Sequence, residues 1–467
     1  MSGGMGESNL RKHYHFIGIG GAGMSTLALL MLAKGQRVSG SDLKEGAVVN
    51  TLKEKGAWVV VGHDERNIVG ADYVVYSSAV HPDNPELRAA KAQKIPVYQR
   101  AEFLAKLMEN QTGITVAGAH GKTTTTSMIS RLLIQAGLNP TTAVGGIIKG
   151  TQDNAKLGDG KYFVSEVDES DGTFLYFKPK ISVITNIDFE HVDYYQTWEN
   201  ILEAYRKFIH NTVPDGTVVA CGGDQRLRKL VQESERKFMT YGFSAAEDVM
   251  AQSVDFDKFN SRFDCFFKGK KMGAISLKVP GAHNVLNALA CVGVGQLLNI
   301  DFSVIQQSLA TYEGAARRFQ LLGEIGNIKV IDDYGHHPTE ITAVLQTAQA
   351  IKEKRLITVF QPHRYSRTKY LMNEFVKSLS LSDMLIITDI YAASEAPIEG
   401  VSSLVLTERL KQEGKSDCIY LKKDKILNLL LSFTRPGDLV LTLGAGDISQ
   451  VGTDLVKGLM ERDLFRG

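Results

Sequence analysis

The chain has 467 residues, 43% hydrophobic and 22% charged, the composition of an ordinary soluble globular protein of about three domains. Its 53 basic and 52 acidic residues leave a formal net charge of +1, too little to hold a nucleic acid or an anionic membrane through an overall field. No apolar run approaches the roughly 18 residues of a spanning helix. Met1 to Ser8 is polar and glycine-rich, without the apolar core of an export signal. Cys221, Cys265, Cys291 and Cys418 are widely spaced with no CxxC pair, so reduced thiols in a cytoplasm are expected, not disulfides or a zinc site.

Residues 1–108 alternate short apolar strands with helices. His13 to Ile19 reads as a strand. It runs into Gly18-Ile-Gly-Gly-Ala-Gly23 and a helix from Met24 to Lys34, which is GxGxxG in its strand–turn–helix setting. A second strand, Arg37 to Gly40, leads to Asp42, 19 residues after Gly23, where an acid can accept from a ribose hydroxyl. Ala57 to Val61, Tyr73 to Ser77 and a helix near Pro85 to Ala92 continue the pattern. The arrangement holds a diphosphate at a helix N-terminus without naming it: NAD and a UDP-sugar both qualify.

Residues 109–316 open on the stretch that organises the chain. Ile114 to Val116 is a buried strand, Gly118-Ala-His-Gly121 a tight turn that opens a helix, and Lys122 and Thr123 lead to a helical pattern from Met128 to Leu133. Backbone N–H groups and the positive end of a helix suit phosphates, Lys122 adds charge, and a threonine hydroxyl suits Mg²⁺. The spacing is GxxGKT, shorter than the common P-loop. Lys161 to Val167 is a strand that ends in Glu166-Val-Asp168-Glu169-Ser-Asp171, acids that repel one another unless a cation or solvent separates them. Ile181 to Ile187 ends near Asp188, Glu190, His191 and Asp193, and residues 199–211 form an amphipathic helix. Val249 to Val279 alternates apolar and polar residues, as in a small antiparallel β insertion. After it, His283, Asn284 and Asn287 share one helix face, and asparagine amides suit an adenine edge.

Residues 317–467 begin at Arg317-Arg318-Phe319 and read as a third α/β unit. A strand from Val330 reaches Asp332-Asp333-Tyr334-Gly-His336-His337-Pro338, and another from Arg355 reaches Gln361-Pro-His363-Arg364-Tyr-Ser366-Arg367. Further strands run at 384–389, 417–421 and 438–443. Arginines at two strand tips match a substrate carboxylate by bidentate pairing. An ATP cradle with acids for Mg²⁺, a second nucleotide-diphosphate fold and arginines for a carboxylate suit one reaction: ATP activates a carboxylate as an acyl phosphate, and an amine takes it. A motor protein needs only the cradle, and a dehydrogenase has no use for it.

Seven motifs, in order, resemble the Mur ligases of peptidoglycan synthesis. They are Gly-Ile-Gly-Gly-Ala-Gly-Met at 18–24, Gly-Ala-His-Gly-Lys-Thr-Thr at 118–124, Glu-Val-Asp-Glu-Ser-Asp at 166–171, and His-Asn-Val-Leu-Asn at 283–287. Arg-Arg-Phe at 317–319, Asp-Asp-Tyr-Gly-His-His-Pro-Thr-Glu at 332–340, and Phe-Gln-Pro-His-Arg-Tyr-Ser-Arg at 360–367 complete the set. The resemblance implies three α/β domains that close on one another: a Rossmann-like UDP-sugar domain, a central P-loop ATPase-like domain with the β insertion, and a C-terminal Rossmann-like domain. It implies that Gly18, Gly20, Gly21, Ala22, Gly23 and Asp42 hold UDP-N-acetylmuramate, and that Gly118, Ala119, His120, Gly121, Lys122, Thr123 and Thr124 hold ATP phosphates. Thr123, Glu166 and His191 would ligate Mg²⁺. Asn284, Asn287, Arg318 and Asp333 would hold the rest of ATP. Tyr334, His336, His363, Arg364 and Arg367 would line the acceptor and acyl-phosphate region, with Lys122, His336, His363, Arg364 and Arg367 catalytic. The branch indicated adds L-alanine, as a monomer or weak homodimer. A tripeptide-recycling ligase or a non-catalytic UDP-sugar sensor is the alternative. Ala119 stands where many members carry Thr and Val167 where many carry Ala. Fifteen residues after His191, where other branches carry a carbamylated lysine, this chain has Arg206, followed by Lys207.

Overall fold

The computed structural model describes residues 11–145 and 155–464, which group into two compact units. One comprises residues up to 250 together with 267–269 and 287–308; the other holds 251–266, 270–286 and 309 onward.

The first unit contains two sheets. The N-terminal sheet is parallel, in the order Trp58–Val61, Arg37–Asp42, His13–Ile17, Tyr73–Tyr76, Val97–Gln99. His13–Ile17 is central, and its two neighbours are reached by crossovers in opposite directions. A crevice therefore opens at its C-terminal end, where the glycine turn lies. The strand stops at Ile17, two residues earlier than the sequence suggests, because Gly18 (φ +78°) already turns the chain. The following helix, Ala22–Ala33, starts two residues before Met24.

The second sheet places Thr112–Ala117 between Ile181–Ile184 and Tyr162–Glu166, all parallel. Thr217–Cys221 and Lys237–Gly242 extend it on one side, Thr141–Ala143 and the short antiparallel Ala155–Lys156 on the other. Ala117 pairs with Ile184, and Val116 with Glu166, so three motif-bearing strand tips finish side by side. Both faces of Thr112–Ala117 are covered, which is why it reads as a continuous apolar run. Val249–Asp257, Asn260–Phe267 and Lys270–Leu277, most of whose residues belong to the other unit, supply the expected insertion. Its Lys268–Gly269 turn has φ +47° and +77°, the left-handed pair of a tight hairpin.

The second unit is built on a sheet ordered Gln320–Ile325, Ile328–Asp333, Leu439–Leu443, Leu356–Phe360, Met384–Ile387, Cys418–Tyr420, parallel apart from its first pair. Successive side chains alternate faces. Ile331 and Leu441 pack with Ile341, Leu345 and Phe375, while Val330 and Val440 pack with Leu455 and Leu459. At roughly 25 cal/mol per Å² of apolar area, such two-sided burial is what holds these strands in place. Asp333 and Phe360 are the tips on either side of Leu443, so the two polar motifs emerge at one edge.

Candidate active site

The phosphate loop is fastened to the neighbouring strand tip. His120 N–H donates to Asn186 Oδ1 (2.9 Å), Asn186 Nδ2 donates back to the His120 carbonyl (3.0 Å), and Ala119 N–H reaches the Asn186 carbonyl (3.3 Å). His120 Nε2 lies 2.9 Å from Asp188 Oδ2. Gly121 caps helix Lys122–Gln135 at φ +82°, and a Cβ there would fall 2.6 Å from Asn287 Oδ1. Only glycine fits both the backbone and the space. Asn287 also accepts from Thr125 Oγ1 (3.1 Å), so this asparagine braces the cradle from helix Ala282–Leu297. Asn284, one turn earlier, donates to the Pro280 carbonyl at 2.7 Å.

Lys122 folds back into the loop. Its Nζ donates to the carbonyls of Gly118 (2.6 Å) and Ala119 (3.2 Å) and to Glu169 Oε1 (2.8 Å). Burial would favour the neutral amine, but Glu169, Asp168 and Glu166 outweigh it and keep the ammonium charged. Thr123 Oγ1 donates to both oxygens of Glu166 (3.1 and 2.9 Å), and Gly145 N–H also reaches Glu166 (3.0 Å).

His191, at φ +54°, stands 3.6 Å from Glu169 Oε1 and 3.8 Å from Glu190 Oε2. One ligand atom from each of Glu169, Glu190 and His191 lies within 4.8 Å of the others. Glu169 Oε2 is buried and has no hydrogen-bond partner among the described residues. A hard divalent cation would satisfy that oxygen, so this donor set fits Mg²⁺. Burial pushes His191 down in pKa, but Glu169 and Glu190 raise it by more. Of the expected ligands, Thr123 and Glu166 meet one another, while His191 belongs with Glu169 and Glu190. Sequence alone gives Glu169 no preference among the four acids of 166–171, and Glu190 lies outside the seven motifs, beside His191.

In the N-terminal sheet, Gly18 and Ile19 donate to the Ser41 carbonyl, and Gly20 N–H donates to Asp42 Oδ2 (2.8 Å). Asp42 thus spends one oxygen on shaping the glycine turn. The turn opens into a cleft of about 830 Å³ lined by Gly18, Gly20, Gly21, Asp42, Lys44 and His63 among others, large enough for a nucleotide. Arg100 Nη2 stands 3.8 Å from Asp168 Oδ2 in this same unit.

In the second unit Arg317 pairs with Asp332 (3.0 Å) and donates to the carbonyls of Gly444 (2.6 Å) and Gly446 (3.1 Å). Asp333 accepts from Phe319 N–H (2.7 Å) and Gly335 N–H (2.6 Å). Burial pushes its carboxyl up to about 6, against the pull of Arg318. Both oxygens therefore already hold the backbone on which Arg318 and Tyr334 sit. Arg318 lies 3.4 Å from Glu340, and the Tyr334 ring takes the Arg317 and Arg318 guanidinium groups at 5.0 and 5.3 Å. His336 packs edge-on to Tyr334 (5.4 Å) and beside His363 (5.6 Å), which stacks on Tyr391. Arg367 Nη1 donates to His363 Nδ1 at 3.1 Å. Burial, then His336, Arg367 and Arg364, force His363 down to about 3, so it stays neutral. Arg364 has φ +69°, anchored by its N–H to the Tyr391 carbonyl (2.9 Å). Tyr391 carries no sequence signal: it lies outside the seven motifs, between Asp389 and Glu395, and only the fold brings it to His363.

Three family models fit these parts in order: the Mur ligase family catalytic domain at residues 13–112, the Mur ligase middle domain at 116–295, and the Mur ligase glutamate ligase domain at 317–446. The chain belongs to the Mur ligase family. The UDP-N-acetylmuramate–L-alanine ligase of Geotalea daltonii is 46% identical over 451 residues, covering 96% of this chain and 98% of that one. The corresponding ligase of Syntrophobacter fumaroxidans is 47% identical, with 96% of each chain covered. Among solved structures, the UDP-N-acetylmuramate–alanine ligase of Thermotoga maritima superposes with a TM-score of 0.82 at 30% identity, covering 96% of this chain and 99% of that one.

This Mur ligase therefore has the three-domain α/β fold of its family, with the antiparallel insertion in its middle domain. Arg206 and Lys207 are mostly exposed on helix Trp198–Asn211, where both pair with Glu203 (2.6 and 3.8 Å). Among the described residues, no helix of this Mur ligase is long and apolar enough to cross a membrane.

Proposed function

We propose that this Mur ligase joins L-alanine to the lactyl carboxylate of UDP-N-acetylmuramate, using ATP and releasing ADP and phosphate. The observation that carries the reading is the meeting of three strand tips at one phosphate cradle: Lys122 beside Glu169, Thr123 on Glu166, and His191 beside Glu169 and Glu190. Near-full-length similarity to L-alanine-adding ligases supports the choice of substrates.

In this reading the carboxylate oxygen attacks the γ-phosphorus of ATP, the bond to ADP breaks, and an acyl phosphate forms. The neutral amine of L-alanine then attacks the acyl carbon, phosphate leaves, and the new amide sheds a proton. Catalysis is chiefly positioning and charge neutralisation. Lys122 leaves the Gly118 and Ala119 carbonyls for the transferred phosphoryl group, while the Gly118–Thr124 backbone cradles the other phosphates. Thr123, Glu166, Glu169, Glu190 and His191 would hold Mg²⁺, which supplies charge neutralisation when bound. Asn287 supports the loop, and Asn284, Arg318 and Asp333 serve the remainder of ATP. Gly18 to Gly23 holds the UDP diphosphate. Arg364 and Arg367 take the alanine carboxylate, with His336 and His363 forming the wall beside them. Residues 1–108, 109–316 and 317–467 are the corresponding functional domains. Four buried free cysteines suit a cytoplasmic enzyme.

Phosphate release with UDP-N-acetylmuramate and ATP, compared across L-alanine, glycine, L-serine and a preformed tripeptide, tests the proposal. L-Alanine should give the highest kcat/KM. Preference for the tripeptide would make this a recycling ligase, and nucleotide binding without product would make it a sensor.

A further inference from the structure

The nucleotide cleft contains one side chain that no phosphate-binding role explains. His63 follows strand Trp58–Val61 and lines the cleft with Gly20, Asp42 and Asn84. Its Nδ1 lies 3.0 Å from Glu86 Oε2 and 3.0 Å from Ser41 Oγ. Glu86 belongs to helix Pro85–Ala92, and its side chain is completely buried, whereas that of His63 is 17% exposed. The carboxylate is richly served: Ser41 Oγ donates to Oε2 (2.6 Å), Asn67 Nδ2 donates to Oε1 (2.5 Å), and His15 Nε2 stands 3.7 Å away. Burial pushes the Glu86 carboxyl up, but His15, Ser41 and Asn67 together hold it below the usual range.

An ionised carboxylate only accepts, so the proton facing it on His63 must sit on Nδ1. That tautomer leaves Nε2 as the acceptor, on the edge that remains for the cleft. Sheet order gives the position along a bound nucleotide. Glycine turn, Asp42 and His63 follow three adjacent strands, His13–Ile17, Arg37–Asp42 and Trp58–Val61. At about 4.8 Å per strand, His63 stands roughly 10 Å from the diphosphate site, about the reach of a nucleoside.

We infer that His63 accepts a hydrogen bond from the uridine of the UDP-sugar through Nε2, and that Glu86 is the positioning residue that fixes its ring and tautomer. The donor on the ligand is the uracil imide N–H or a ribose hydroxyl. The inference rests on the reading of Gly18 to Gly23 as the UDP site. Buried carboxylate–imidazole pairs set the orientation of the working nitrogen in the same manner at metal centres.

Calorimetric titration of the full-length enzyme with UDP, and with N3-methyl-UDP and 2′-deoxy-UDP, tests it. His63→Ala should weaken UDP about tenfold. It should raise KM for UDP-N-acetylmuramate by a similar factor, with kcat and the KM for ATP within about twofold of wild type. Glu86→Gln, which keeps an acceptor for Nδ1 but loses the charge, should weaken UDP about threefold and add little in the His63→Ala background, because it acts through His63. The analogue lacking the donor that His63 uses should bind wild type weakly and be insensitive to His63→Ala. Wild-type UDP affinity in His63→Ala would overturn the inference and leave the ligase assignment intact. Equal loss from Glu86→Gln with and without His63 would reduce Glu86 to a structural role and overturn its part. Failure of the wild-type enzyme to bind UDP at all would overturn both readings.

Discussion

Glu169 holds Lys122 by one carboxylate oxygen at 2.8 Å and leaves the other oxygen, also buried, without a hydrogen-bond partner among the described residues. The pair thus joins the loop's cation to the edge of a cluster built for a second one. Removing the lysine would strand a buried carboxylate, whereas a bound phosphate and cation would satisfy both members.

Lys122→Ala should lower kcat by at least about a thousandfold, as expected when a principal charge on a transferred phosphoryl group is removed. UDP affinity, measured calorimetrically, should stay within about twofold of wild type, because the glycine turn at 18–23 lies on a different sheet. Comparable loss of both activities would refute separate nucleotide sites.

Gly121→Ala combines a left-handed φ of +82° with a Cβ only 2.6 Å from Asn287 Oδ1. The backbone strain alone is worth about 1–2 kcal/mol. Thermal unfolding should register that loss, and KM for ATP should rise about tenfold or more. Adding Asn287→Ala relieves the clash but not the strain, so it should restore only part of the stability.

Chelation of divalent ions should abolish turnover while leaving UDP binding in place. Glu169→Gln keeps the shape of the side chain but removes its charge from Lys122 and from the Glu190–His191 cluster. The Mg²⁺ concentration for half-maximal rate should rise about tenfold. An unchanged Mg²⁺ requirement would remove Glu169 from the metal site.

His363 titrates near 6.5 when unfolded but only at about 3 in the folded protein. Between those values the unfolded chain binds more protons, so this histidine costs stability as pH falls below 6.5. Asp333, raised from 3.8 to about 6, works the other way: its folded carboxyl takes up a proton first, adding stability as pH falls through 6. His363→Gln retains an acceptor for Arg367 without titrating. Its destabilisation at pH 7.5, measured by denaturant unfolding, should shrink by about 1 kcal/mol at pH 5, a figure discounted for the partly open site. Asp333 titrates alike in both proteins and cancels.

The sequence by itself determined the phosphate loop, the glycine turn, the acid run and the arginine-bearing strand tips. Each is a local rule: glycine where the backbone turns left-handed, polar residues where a buried strand ends, apolar runs where both faces of a sheet are covered. Helical spacing also put Asn287 on one face with Asn284, while the fold set it against Gly121 and Thr125 of the loop. Tertiary structure decided which tips adjoin, since strand order is fixed by crossovers and packing between segments far apart in the chain. That is how Glu169, from one strand tip, reaches Lys122 from a second and His191 from a third. Tertiary structure likewise turned Asp42 toward Gly20, enclosed Asp333 among backbone donors, and set Glu86 behind His63 across 23 residues. Burial and partner, the two quantities that fix a charged group's role, arise only when those distant segments meet.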